Sequence, residues 1–273
     1  MTRDKLKSTE YWEKYLVNQD SEIKLFFEVS VQREKDEQVL SSSEYMLRQR
    51  KHIAAKKSWI HLLHLLEDNV FALYSSGAGI IAIKDAFQTW LDVLGKKESY
   101  TYLNILLLFS WTVLFDNDKD TLVKALSLWE GLVFNSEDYL YCKSDTKHDK
   151  TNCSDRLLSF LLNYIYQKAN GCSDFFDYSM KPVLFEEAYG DLCRLILLKD
   201  KEEQVRLFTE FMNCRWYNLR IDEGWHDSHK SKYDIYVGYW AFECAAVAKV
   251  LQFSEDDVRN LAFFPVDLFN YFS

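Results

Sequence analysis

Only eight glycines and two prolines punctuate 273 residues. Average usage would supply glycine at about 7% and proline at about 5%. Turn-rich β architectures draw on both residues, because glycine supplies positive φ and proline presets a turn. A chain this poor in both has few tight turns, and the economical solution is long helices joined by short connections. The 48% hydrophobic content is ample for a core, and the 16% aromatic content suits bulky helix–helix contacts. The expectation is an all-α protein, a multi-helix bundle in two packed halves.

Hydrophobic spacing divides the chain accordingly. Residues 8–38 form charged amphipathic helix, with Tyr11, Trp12, Tyr15, Leu16, Ile23, Phe26 and Phe27 as its apolar stripe. Ser41, Ser42 and Ser43 are N-cap candidates for a long helix over 44–74. That helix turns inward Ile53, Trp59, Ile60, Leu63, Leu66, Val70, Phe71 and Tyr74, and stops at Ser75-Ser-Gly-Ala-Gly79. Further helices are expected over 80–94, 99–115 and 121–134, the second too apolar to be exposed and placed in the middle of the N-terminal bundle. No strand-like alternation bounded by turn dipeptides is visible. The polar, aperiodic stretch 141–152 marks the boundary between an N-terminal domain, 1–141, and a C-terminal domain, 142–273. Beyond it, helices are expected over 155–170, from Pro182 to 198, and over 201–216, with a Ser254–Asp257 capping box near the end.

The stretch from Tyr233 to Leu268 organises the C-terminal half. Apolar residues at 233, 236, 237, 240, 244, 247, 248 and 251 step by three and four, and the opposite face carries Tyr239, Phe242 and alanines. A helix apolar nearly all round is buried on several sides, so a central helix is expected over 233–251. Glu243 is its exception. Either a hydroxyl, an indole or a basic group satisfies it in the core, or it lines a functional cleft.

Charge and motifs narrow the chemistry. A net charge of −9 argues against a nucleic-acid binder, which needs a basic footprint, and suits a basic protein partner. The six cysteines form no C-x-x-C pair and read as reduced core residues. The N-terminus lacks the apolar core of a signal peptide, and the longest apolar run, Ile105–Phe115, is too short to span a bilayer. A cytoplasmic protein without membrane contact is the expectation. Ser75-Ser-Gly-Ala-Gly79 lacks the strand before it and the Gly-Lys-Ser/Thr end of a phosphate loop. His61 and His64, and His226 and His229, are paired three apart, but zinc needs three or four ligands. No catalytic residue, metal or cofactor is assigned. The alternative function is a metal-dependent or hydrolytic helical enzyme using Glu243 with His226 and His229; a non-catalytic scaffold or regulator is a third.

Acidic clusters carry the surface expectation. Asp116, Asp118, Asp120, Glu137 and Asp138 form the first; Asp174, Asp177, Glu186, Glu187 and Asp191 the second; Asp222, Glu223 and Asp227 the third. A negative face meeting a basic active site binds fast and occupies it by charge mimicry. The other reading is a set of ordinary solvated faces and helix caps.

Tyr236-Val-Gly238-Tyr239-Trp240-Ala-Phe242-Glu243-Cys-Ala-Ala-Val-Ala-Lys-Val-Leu251, followed by Phe264-Pro265-Val-Asp267-Leu268, resembles the C-terminal signature of the PoNi family of bacterial immunity proteins. Arg3–Tyr15 and Leu73-Tyr-Ser-Ser-Gly77 resemble the family's N-terminal domain, with Leu73 where a basic residue is expected. The resemblance implies an all-α, non-catalytic protein that binds and neutralises a cognate DNase toxin of the PoNe type in the cytoplasm. It implies no direct nucleic-acid contact and leaves a homodimer open. The signature residues belong to the framework, and the three acidic clusters are assigned to toxin binding.

Overall fold

The computed structural model describes residues 2–39, 45–144, 153–171 and 177–271. The Ser41–Ser43 cap expectation therefore lies outside the described residues. The chain divides into two compact units: Met1–Lys97 with Asp227–Gly238, and Glu98–His226 with Tyr239–Ser273. The 141/142 boundary expected from composition falls inside a strand of the second unit. Helices dominate both, and among the described residues no helix is long and apolar enough to cross a membrane.

The first unit holds α1 (Thr9–Gln38), α2 (Tyr45–Ser76) and α3 (Ile80–Leu94). Ser8 starts α1 by accepting the Tyr11 amide at 3.3 Å, which satisfies one orphan donor of the first turn. α1 and α2 run antiparallel. Gln19 donates to the Leu65 carbonyl at 2.5 Å, Phe26 meets His61 with ring centroids 4.1 Å apart, and Asp36 pairs with Lys51 at 3.2 Å. Of the expected inward residues on α2, Trp59, Leu63, Leu66, Val70 and Tyr74 are buried, whereas Ile53 and Ile60 are exposed. Gly77 turns the chain at φ +86° and Gly79 caps α3, so the glycine cluster is a helix–helix turn.

A strap, Asp227–Gly238, completes this unit. It was expected to be the first half of the central helix, but that helix, α9, spans only Phe242–Val250. The physical reason lies in the strap's backbone. The Tyr11 hydroxyl donates to the Tyr236 carbonyl at 2.8 Å and accepts from the Tyr236 amide at 3.1 Å. Both groups that would enter a helical ladder are thus taken by a side chain. Tyr236 in turn donates its hydroxyl to Asp4 at 2.5 Å, and Ser75 donates to the Val237 carbonyl at 2.7 Å. Gly238, at φ +106°, then leaves helical space altogether.

The second unit holds β1 (Ser99–Tyr100), α4 (Tyr102–Leu114), α5 (Lys119–Trp129), β2 (Leu132–Asn135), β3 (Leu140–Lys143), α6 (Arg156–Asn170), α7 (Glu186–Leu195), α8 (Lys201–Glu210), α9, α10 (Glu255–Val258) and α11 (Val266–Asn270). Strands β2 and β3 form a hairpin with Val133 opposite Cys142, and β1 adds antiparallel to β3 with Tyr100 opposite Tyr141. This small sheet corrects the expectation of no strands and shortens the helix expected over 121–134. The hairpin turn holds Tyr139 at φ +54°, where glycine or asparagine would have signalled the turn.

α4 is the buried axis of this unit rather than of the N-terminal bundle. Only Leu103 and Leu107 among its residues escape full burial. Its neighbours are α5, α6 and α9, and Trp111 meets Phe242 edge-on at 5.8 Å. Thr101 and Asn104 close a capping box at its start. Asp155 caps α6 from within the core: it accepts from the Leu158 amide at 3.0 Å, the Leu184 amide at 2.9 Å and the Tyr102 hydroxyl at 3.1 Å. Gly171 ends α6 in the left-handed conformation, at φ +64°. Pro182 does not open a helix. Its carbonyl accepts the Arg156 amide at 2.8 Å, and α7 begins four residues later. The Ser254–Asp257 capping box is formed as expected.

Candidate interaction surface and buried carboxylates

The acidic residues do not share one environment. Asp116 follows α4 and has a side chain only 6% exposed. Lys249 of α9 lies 2.9 Å from one oxygen; the Tyr164 hydroxyl, at 2.5 Å, and Lys168, at 3.4 Å, share the other. Burial pulls the Lys249 ammonium below its ordinary range, with Asp116 opposing. Asp116 is therefore a core anchor between helices. Asp118 caps α5, accepting from the Asp120 and Thr121 amides at 3.0 and 3.3 Å. Asp120, Glu137 and Asp138 are exposed, the last accepting from the Asn135 amide group at 3.0 Å.

In the second group, Asp174 lies outside the described residues. Asp177 accepts from the Ser179 hydroxyl at 2.6 Å. Glu186 pairs with Arg194 at 2.8 Å, Asp191 with Arg194 and, at 2.5 Å, with Arg215. These pairs border a cleft whose apolar lining is Leu198, Leu207 and Phe211. Glu187 is exposed. In the third group, Asp222 and Glu223 are exposed in the second unit, whereas Asp227 belongs to the first and pairs with Lys230 at 2.7 Å.

Glu243 opens α9 and is satisfied by the indole and the basic group that its burial demands. Trp216 donates Nε1–H to Oε1 at 2.7 Å, and Arg220 approaches the same oxygen at 2.9 Å, with side chains only 7% and 9% exposed for Arg220 and Glu243. A π-helical turn at Phe211–Arg215 continues α8 and delivers Trp216 to this position. Arg220 also donates to the Trp216 carbonyl at 2.9 Å and lies over the rings of Trp216 and Tyr189. Burial works against the Arg220 charge, but Glu243 and Tyr189 outweigh it and hold the guanidinium above its ordinary value. Neither partner was found from sequence; their spacing of four, one helical turn, was the available signal.

The enzyme alternative required Glu243 to meet the two histidines of the polar loop. His226 instead stacks on Tyr217 at 4.2 Å, and His229 lies edge-on to Tyr236 at 6.0 Å. Among the described residues, no group of three or more His, Cys, Asp or Glu side chains is placed to hold a metal ion.

Within the signature, Tyr236, Gly238, Tyr239, Phe242, Glu243 and Pro265 are buried, Trp240 is half-buried and Asp267 is exposed in the first turn of α11. Pro265 accepts the Phe269 amide at 3.0 Å. Residues 153–268 match the family model of PoNe immunity proteins (PoNi), C-terminal. The similarity is confined to the C-terminal part of the chain. No curated protein and no solved structure matches the chain. The PoNi match runs from just before α6 into α11. It leaves Arg3–Tyr15 and Leu73–Gly77 outside, and it includes the Tyr233–Gly238 strap that folds with the first unit.

Proposed function

We propose that this chain is an immunity protein that binds a cognate PoNe-type DNase toxin and neutralises it stoichiometrically in the cytoplasm of the producing cell. The observation that carries this reading is the PoNi match over 153–268. The net charge of −9 supports it, because a nuclease that holds DNA presents a basic face to any inhibitor. The protein performs no catalysis in this reading and needs no cofactor. Within the three acidic clusters, the exposed acids outside internal ion pairs are the toxin contacts, and the buried network at Glu243 keeps the framework rigid.

The experiment is co-expression with a PoNe-type DNase toxin, a neighbouring toxin gene being the first choice where one is found. Growth should be restored, and the two proteins should co-purify as a complex of fixed stoichiometry. Continued killing together with failure to co-purify overturns the reading.

A further inference from the structure

The turn from Tyr217 to His226 gathers aromatic rings that keep part of their surface in solvent. Tyr217 stacks on His226 at 4.2 Å and on Phe263 at 5.1 Å. Trp225 stacks on Trp216 at 6.0 Å and meets Tyr239 at 5.4 Å. Trp216 and Tyr239 are buried, but Tyr217, Trp225, His226 and Phe263 keep part of their surface in solvent. The same turn exposes Ile221 at 69%, with Asp222, Glu223 and Gly224 exposed beside it. Rigid aromatics presented with an exposed aliphatic are the composition of interface centres.

Charge says what such a surface receives. Asp116, Glu186, Asp191 and Asp227 are each held by a lysine or arginine of this chain. Asp222 and Glu223 make no ion pair among the described residues, and the nearest basic residue in sequence, Arg220, is committed to Glu243. Phe263, a bulky residue, is held at φ +61° to complete the stack, a conformation that costs roughly 1–3 kcal/mol and persists only where the surroundings enforce it.

We propose that the Tyr217–His226 turn is the docking surface for a basic protein partner, with an arginine or lysine of that partner lying over the edge of the part-exposed Trp225 ring and pairing with Asp222 and Glu223. The identity of the partner as the toxin rests on the function proposed above. Arginine is the better fit, because its planar guanidinium stacks on an aromatic face while its N–H groups reach a carboxylate. Nucleic acid is disfavoured at the same place by the two carboxylates.

The test measures binding of a catalytically inactivated PoNe-type DNase toxin to the full chain, the toxin being the one that the chain protects against in co-expression. Asp222→Lys/Glu223→Lys reverses the exposed pair, and Glu28→Lys/Asp85→Lys applies the same charge change to exposed acids outside the three clusters. The first variant should bind at least about 30-fold more weakly and the second within about threefold of wild type. Ile221→Ser, at an exposed position, should weaken binding about tenfold. Unfolding midpoints within about 2 °C of wild type confirm that folding is unaltered. Equal losses in both charge variants, or no loss in the first, overturn this surface while leaving the immunity function intact. Absence of binding by the wild-type chain overturns both.

Discussion

Arg220 and Glu243 face each other at 2.9 Å with less than a tenth of either side chain exposed. Removing one member of a buried ion pair leaves an uncompensated charge and costs about 3–5 kcal/mol. Arg220→Met should therefore lower the urea midpoint severely. Glu243→Gln, which keeps an acceptor for Trp216, should cost about 1–3 kcal/mol. The double variant Arg220→Met/Glu243→Met should be more stable than Arg220→Met alone. Toxin binding by Glu243→Gln at low temperature should equal wild type; its loss with the fold intact would return Glu243 to the functional surface.

The Lys249–Asp116 pair makes a parallel claim about a residue that sequence placed on the surface. Lys249→Met should destabilise by about 3 kcal/mol, because Asp116 then keeps only Lys168 and the Tyr164 hydroxyl. Asp116→Asn should shift the unfolding midpoint but leave toxin affinity unchanged. Calorimetry on folded protein separates the two readouts.

Two adjacent carboxylates of α2 predict a pH dependence. Burial raises Glu67 to about 7, with Asp68 adding and Lys97 opposing, and burial raises Asp68 to about 6. The unfolded chain releases these protons near the ordinary carboxylate range, about 4. The folded state binds more protons between those limits, so their contribution to stability is full below about pH 4 and is lost as pH rises through about 6 to 7. Glu67→Gln should flatten the decline and stabilise the protein at pH 8 on the order of 1 kcal/mol, after allowance for partial solvent access. Denaturant midpoints measured from pH 5 to 8 check this.

Association with a basic toxin should depend on ionic strength. Raising salt from about 0.05 to 0.5 M shortens the Debye length below about 8 Å, and the association rate should fall by about tenfold or more while dissociation changes little. A salt-independent association rate measured in stopped flow would count against recognition by charge.

Gly238 sits at φ +106°, outside the space open to side-chain-bearing residues. Gly238→Ala should cost at least about 1 kcal/mol. Hydrogen exchange should show the loss at Tyr236, whose amide is held by Tyr11.

Where local signals and tertiary contacts agree, the helices were legible in the chain. Asp155, Gly171 and the Ser254–Asp257 box mark ends that the structure places within a residue or so. The central helix misled because Tyr233–Gly238 has helical spacing, yet its backbone polar groups are spent on Tyr11 and Ser75, more than 150 residues away. The hairpin was invisible because four-residue strands carry little periodicity and Tyr139 occupies the turn. The acidic clusters were legible as composition only. Charge counts cannot distinguish Asp116, locked under Lys249, from Asp222, which is exposed. That distinction needs partners that sequence spacing does not reveal.

The Asp227–Gly238 strap has a consequence for inheritance. The PoNi-matched region carries within it the closing piece of the other unit, so the halves are not exchangeable cassettes. A chimera joining this N-terminal half to a C-terminal region from a different chain that matches the same family model would inherit a foreign strap against Asp4, Tyr11 and Ser75. Diversification that preserves folding must then keep those three sites and residues 233–238 matched to each other.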